Sequence, residues 1–185
     1  LFGHLGQAML RQQDVTGAQM AGLLADRYRS LPHNSPMTER ELGQLIGYID
    51  RYLQLLAPLN LDIAAFVYVE HWLEEAFAGL NTHSHLYYDW ALAAQSYAAL
   101  VDYPPLDERL WDLENRIELQ RGPGWKGEGN DEALVKFAAL IAAYNGDPAT
   151  ASAAWERLGQ IDLAVHQARA AGDLERAYNL LRGHN

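Results

Sequence analysis

Acidic and imidazole side chains cluster in one stretch of the sequence, where their types suit the binding of a metal ion. Three carboxylates and one imidazole fall within about one helical turn, and two imidazoles follow: Glu70, His71, Glu74, Glu75, His83 and His85. An imidazole and a carboxylate on adjacent turns can ligate a metal. A di-iron bundle requires a second Glu-x-x-His motif, which the sequence lacks. Exposed charge beside an interhelical turn explains the same residues, so the sequence predicts no metal site.

A glycine-rich stretch at residues 122–127 has the spacing G-x-G-x-x-G of dinucleotide-binding loops. Such a loop works between a strand and a helix whose first amides face the pyrophosphate. Here a predicted helix precedes the stretch, and Pro123 removes one amide. We therefore expect a loop without a nucleotide or other cofactor, in which Trp125 is a candidate anchor for a partner protein.

The sequence shows no recognisable motif for covalent catalysis. The sequence contains no cysteine, which excludes disulfides, thiolate metal sites and thiol nucleophiles. It has no nucleophile elbow of the hydrolase type. We expect a protein that is not an enzyme, and a metal-dependent enzyme using His71 and Glu74 is the catalytic alternative.

The composition describes a folded protein. Of its 185 residues, 49% are apolar, which is enough for one substantial core or two small ones. Five Trp, ten Tyr and four Phe argue against intrinsic disorder, because disordered segments are poor in large apolar side chains. No apolar run approaches the roughly 18 to 20 residues of a membrane span, and no signal-peptide layout is present. We expect a soluble, cytoplasmic protein without membrane association.

The formal charge of −10 is unevenly distributed. Residues 1–56 carry equal numbers of Arg and acidic residues, whereas residues 57–185 carry the whole deficit. If any part of the chain approaches a polyanion, residues 1–56 are the part that does so.

Apolar residues recur with helical spacing almost throughout, and no stretch alternates with the period of a strand. The sequence therefore predicts an all-α fold. Thr38 and Glu41 form a capping-box pair that opens a helix ending at Pro58. Other helices are predicted over roughly 61–79, 86–101, 106–120, 131–144, 148–158, 160–171 and 174–182. Glycine turns separate the last four.

Residues 15–24 resemble the second helix of the Xre-type, phage-repressor-like helix-turn-helix family. The matching positions are Val15, Thr16, Met20, Ala21, Leu23 and Leu24. The family's recognition helix is matched by the spacing of Met37, Thr38, Leu42 and Leu45. The resemblance covers about 50 residues. It departs from the family in a longer turn over residues 26–36 and in Gly17, where Gln is common.

The resemblance implies that the helix beginning at Thr38 enters the major groove of double-stranded DNA. Candidates for reading bases are Thr38, Glu39, Arg40 and Gln44, and candidates for phosphate contacts are Thr16, Gln19, Arg27 and Arg29. Arg40 suits guanine, Gln44 adenine and Glu39 cytosine. Five arginines supply little positive charge for binding phosphates, so one copy should bind DNA with modest affinity. We therefore expect a homodimer on DNA. The alternative is an ordinary three-helix packing unit with surface charges.

Residues 131–185 contain an internal repeat of 26 residues. Each Gly-Asp turn precedes an alanine five residues after the glycine and a large apolar residue four further on: Ala151 and Trp155, then Ala177 and Leu181. This pattern resembles tetratricopeptide-type repeats, in which small residues let antiparallel helices pack closely. The resemblance implies a concave surface that binds peptides or partner proteins.

Aromatic residues before this repeat fall into two groups. Tyr87, Trp90, Ala94, Tyr97 and Val101 follow helical spacing, which predicts a core stripe. Tyr88 and Tyr103 lie off the stripe, so we expect them to be exposed candidates for partner binding.

Two domains are therefore expected: a helix-turn-helix-like DNA-binding domain over 1–56 and a tetratricopeptide-like interaction or sensor domain over 57–185. The leading interpretation is a transcriptional regulator whose second domain dimerises or binds a peptide or protein effector. The alternative is a helical-repeat scaffold that binds protein and not DNA.

Overall fold

The computed structural model describes residues 37–56, 67–122 and 131–183. Every regular element in these ranges is helical, which confirms the all-α prediction. The helices are α1 Glu39–Leu56, α2 Val67–Gly79, α3 Tyr87–Ala98, α4 Leu106–Arg121, α5 Glu132–Tyr144, α6 Pro148–Arg157, α7 Ile161–Ala170 and α8 Leu174–Gly183. Two short 3₁₀ helices, Leu80–Thr82 and Ser84–Leu86, connect α2 to α3. In the described part of the chain, no helix has the length and apolar character that crossing a membrane requires.

The first turn of α1 has the predicted capping box. The Glu41 amide donates to Thr38 Oγ1 at 3.4 Å, and Glu41 Oε2 accepts from the Thr38 amide at 2.9 Å and from its hydroxyl at 2.7 Å. These bonds satisfy amides that have no partner inside the helix. The apolar residues at helical spacing are buried, as predicted: Leu42, Leu45, Ile46, Ile49 and Leu53.

Helices α1, α2 and α3 pack on one another around large aromatic side chains. The predicted stripe on α3 is confirmed, since Tyr87, Trp90 and Tyr97 are almost completely buried. The Trp90 indole donates to the Leu73 carbonyl at 3.0 Å, so its one polar atom is satisfied within the core. Helices α1 and α2 approach closely at Gly79, where an added Cβ would lie 3.2 Å from a Leu42 methyl.

Within the described residues, the chain divides into two compact units between Leu106 and Asp107. The sequence placed the domain junction at residues 56–57 instead. The difference arises because α1 shares its core with α2 and α3. The helix predicted to carry DNA recognition therefore shares its packing unit with α2 and α3.

Helices α5 to α8 form a regular series in which each helix packs on the next along the chain. They are separated by Gly146, Gly159 and Gly172, which have φ angles of 77°, 69° and 76°. At each turn the amide of the residue after the glycine bonds back to a carbonyl five residues earlier, at 2.8 to 2.9 Å. This is the Schellman ending, which favours glycine because an L side chain is strained at positive φ. Successive turn glycines are thirteen residues apart, so the predicted 26-residue repeat consists of two units, each a helix and its turn.

A buried polar link joins three helices of this series. Ser152 on α6 is completely buried, and its hydroxyl donates to the Ala164 carbonyl of α7 at 2.8 Å. Arg176 on α8 donates from Nε to the same hydroxyl at 3.2 Å and from Nη2 to Glu156 at 2.5 Å. These bonds fix the spacing of α6 and α8 on either side of α7.

Candidate functional site

The proposed DNA-reading positions lie at the start of α1. Thr38, Glu39 and Arg40 are exposed, and Gln44 is half-buried one turn later. Two of the four are engaged within the protein: Thr38 caps α1, and Glu39 Oε1 lies 3.2 Å from His85 Nε2. Arg40 and Gln44 are therefore the side chains best placed to meet an external partner. The phosphate-contact candidates Thr16, Gln19, Arg27 and Arg29 lie outside the described residues, as does Trp125.

Tyr103 is not an exposed partner anchor, so that prediction is wrong. Its side chain is only 4% exposed. The hydroxyl donates to Glu74 Oε1 at 2.5 Å, and the ring meets Tyr97 edge-on at a centroid distance of 5.4 Å. The phenol buries its ring while bonding its polar end to a carboxylate, as Tyr commonly does. Tyr88, also expected to be exposed, is half-buried.

The acidic and imidazole residues of α2 and the following 3₁₀ segment are dispersed among separate contacts. His71 pairs with Glu75 at 3.9 Å, whereas His85 pairs with Glu39. Glu74 accepts the bond from Tyr103. Within residues 37–56, 67–122 and 131–183, no three His, Cys, Asp or Glu side chains come together in a group that could hold a metal ion.

A groove lies between α4, α5 and the start of α6. It has a volume of about 620 Å³ including its open mouth. The groove is lined by Glu114, Ile117, Glu118, Phe137, Ala138, Ile141, Ala142, Asn145, Asp147 and Thr150. None of these residues was singled out as a binding residue from the sequence.

Two polar bridges hold the helices that form the groove. Tyr144, at the end of α5, donates its hydroxyl to Asp107 at the start of α4. At the other end, Arg121 of α4 pairs with Asp131 before α5 at 3.1 Å. The two bridges show that α4 and α5 run antiparallel. Hydrogen bonding to Asp107, together with burial, raises the pKa of Tyr144 to about 12, so this donor keeps its proton at physiological pH.

The floor of the groove is apolar and one side is acidic. Ile117, Phe137 and Ile141 are at least nine-tenths buried and form the floor. Glu114 and Glu118 lie one turn apart on α4 and line the acidic side. Burial disfavours the charged form of Glu114 and raises the pKa of its carboxyl, and the neighbouring charge of Glu118 raises it further.

The far end of the groove is built by the turn between α5 and α6. Asp147 caps α6 by accepting from the Thr150 amide at 3.1 Å and from its hydroxyl at 2.6 Å. Its position is fixed by the Schellman turn at Gly146, in which the Asp147 amide bonds to Ala142. The groove therefore has a rigid polar end that can orient a bound segment.

The groove combines an apolar surface with carboxylates, an arrangement suited to binding. An apolar side chain flanked by a cation would match it. The sequence contained one signal for it: Glu114, Ile117 and Glu118 share a face of a predicted helix. No family model, curated protein or solved structure matches the chain.

Proposed function

We propose that the chain is a helical interaction protein that binds a short segment of a partner protein in the groove of α4, α5 and α6. The observation that carries this proposal is the apolar floor beside two carboxylates one helical turn apart. The proposal corresponds to the scaffold predicted as the alternative from the sequence. In the regulator predicted from the sequence, the same groove would be the site that binds the effector.

The apolar part of the ligand is selected by Phe137 and Ile141. A leucine, isoleucine or methionine side chain placed against them would leave water, which is worth about 25 cal/mol for each Å² of apolar surface buried. Ala138 and Ala142 keep the groove open, because their methyl groups fill little space. A larger residue at either position would occupy the volume that the ligand needs.

The charged part of the ligand is selected by Glu114 and Glu118. A guanidinium or ammonium group beside them would relieve their mutual repulsion and the cost of partly burying Glu114. Arginine is the better match, since its planar donors can bond two carboxylate oxygens at once. We therefore expect a segment in which Arg or Lys flanks aliphatic residues.

Direct binding of two synthetic peptides tests the proposal. The probes are Gly-Arg-Leu-Leu-Arg-Gly and Gly-Glu-Leu-Leu-Glu-Gly, both with blocked ends and a fluorescent label. We expect the arginine peptide to bind and the glutamate peptide to bind at least tenfold more weakly. Equal binding of the two peptides, or no binding of the arginine peptide at millimolar protein, would contradict the proposal.

The second candidate function is binding of double-stranded DNA through the start of α1. The observation that favours it is that Arg40 is exposed and Gln44 follows one turn later on the same helix. These two residue types read guanine and adenine in the major groove. Glu39 and Glu41 lie beside them and repel phosphate, so the affinity of this surface alone is expected to be modest. Together, the two functions would make the chain the regulator predicted from the sequence.

Arg40→Ala tests this second function. If Arg40 reads a base, its removal costs about 1 to 3 kcal/mol at one position of the preferred sequence and leaves the other positions unchanged. Selection from a random duplex pool measures the preference before and after the change. Arg51→Ala is the matched control, since Arg51 is also exposed on α1 but lies near its other end. Absence of salt-dependent duplex binding by the unmodified chain would exclude the DNA function.

A further inference from the structure

Helix α8 presents an apolar face that is largely exposed. Leu174, Tyr178 and Leu181 are 68%, 62% and 47% exposed. They are spaced four and three residues apart, so they form one stripe along the helix. The neighbouring face of α8 holds Ala177 and Leu180, which are buried.

The thirteen-residue period of the series shows what this face does in the preceding helices. The positions equivalent to Tyr178 are Ser152 on α6 and Val165 on α7, and those equivalent to Leu181 are Trp155 and Ala168. All four equivalents are buried. In α6 the stripe meets the next helix directly, since Ser152 bonds to the Ala164 carbonyl of α7.

The stripe on α8 therefore occupies the position that receives a following helix elsewhere in the series. Tyr178 and Leu181 are large, as is Trp155 at the position equivalent to Leu181, which suits contact with the side chains of a partner. A partner for this face should itself present an apolar helical stripe.

Charged residues beside the stripe favour one such partner. Glu175 and Arg182 are exposed and lie seven residues apart on the same flank of the stripe. When two copies of one helix pack antiparallel about a two-fold axis, the same flank of each faces that of the other. With the axis passing between Tyr178 and Asn179, Glu175 of each copy lies opposite Arg182 of the other. This arrangement gives two opposite-charge pairs and no like-charge pair.

We infer that a second copy of this chain covers the stripe, with the two α8 helices antiparallel about a two-fold axis. The contact of two ten-residue helices is smaller than a standard interface of about 1,600 Å². The dimer is therefore weak, with a dissociation constant on the order of 10 to 100 µM. This inference is independent of the groove, because none of the lining residues belongs to α8.

Sedimentation equilibrium of the whole chain from about 1 to 500 µM tests the dimer. We expect reversible dimers that Tyr178→Glu abolishes, because this change introduces a charge at the centre of the contact. Leu119→Glu is the control: Leu119 is 88% exposed on α4, and its replacement should leave the dimer intact. Circular dichroism confirms that both variants remain folded.

Charge reversal tests the two-fold arrangement itself. Glu175→Arg or Arg182→Glu alone should weaken association roughly tenfold, since each places like charges opposite one another at two symmetric positions. The double variant Glu175→Arg/Arg182→Glu should restore it. A chain that stays monomeric throughout the concentration range, as it would if another protein covered the stripe, overturns the inference. So does a double variant that associates no better than the single ones.

Discussion

Glu114 is the residue at which stability and binding are expected to oppose each other. Burial and the charge of Glu118 raise its pKa, so the folded protein disfavours the carboxylate relative to the unfolded chain. Glu114→Gln removes that cost and should raise the melting temperature slightly at pH 7. The same change should weaken binding of the arginine peptide several-fold, because a charged hydrogen-bond acceptor is lost.

Calorimetry and peptide titration on the same variant measure both effects of Glu114→Gln. Glu108→Gln is the control, since Glu108 is exposed on the same helix and does not line the groove. A variant that loses stability and keeps full affinity would show that Glu114 serves the fold and not the ligand.

The affinity for the arginine peptide should also depend on pH. A bound cation lowers the pKa of Glu114 from its raised value in the free protein, so binding releases a proton in the interval between the two values. Affinity is then full above the free-protein pKa and falls as the pH drops through it. Titrations across the acidic range measure this dependence, and Glu114→Gln should flatten it. An unchanged slope in the variant would assign the titration to another group.

The burial of a single residue could be predicted from the sequence where it follows helical spacing. It could not be predicted where it depends on the chain turning back on itself. Tyr87, Trp90 and Tyr97 repeat along one helix, so their burial could be read from their positions. Tyr103 follows the end of α3, and its burial depends on the chain returning toward Glu74, 29 residues earlier. No local pattern encodes that approach.

At the scale of the elements, two glycines should respond in opposite directions to the same substitution. Gly159 has a φ angle of 69° in the turn between α6 and α7, where an L side chain is strained. Gly159→Ala should therefore destabilise the protein by about 1 kcal/mol. Gly47 lies within α1, and an added Cβ there meets nothing within 4 Å. Gly47→Ala should stabilise by about 0.5 to 1 kcal/mol, because alanine favours the helix.

Chemical denaturation of the two glycine variants measures both effects within one protein. The comparison is internally matched, because each variant adds a single methyl group to an open position. If Gly159→Ala proved as stable as the unmodified chain, glycine would not be required for that turn.

Helix ends and turns were predictable because their chemistry is local. The capping box of α1 spans four residues, and each Schellman turn is specified by a glycine and its neighbours. The groove was not predictable in the same way. The alignment of α4 with α5 depends on bridges between residues that are distant in the sequence, such as Tyr144 and Asp107. The sequence showed the carboxylates of α4 but not the apolar floor beside them.

At the scale of the whole molecule, the two compact units carry separate proposals. The unit ending at Leu106 holds the candidate DNA-reading residues on α1, and the unit beginning at Asp107 holds the groove and the stripe of α8. The domain junction at 56–57 expected from the sequence would have separated α1 from helices that share its core. Helical spacing predicted the eight α-helices of the described residues, whereas the division between units depends on which helices pack together.

The central claim, that the groove binds a cationic and apolar segment, is tested most directly by closing it. Ala138 is half-buried in the groove, whereas Ala153 is exposed on α6 outside it. Ala138→Arg places a long side chain over the floor and a guanidinium beside the acidic residues, and Ala153→Arg makes the same change elsewhere. Fluorescence anisotropy of the labelled Gly-Arg-Leu-Leu-Arg-Gly peptide should show at least a tenfold loss of affinity for Ala138→Arg and no loss beyond about twofold for Ala153→Arg. Equal affinity of the two variants for the peptide would contradict the account.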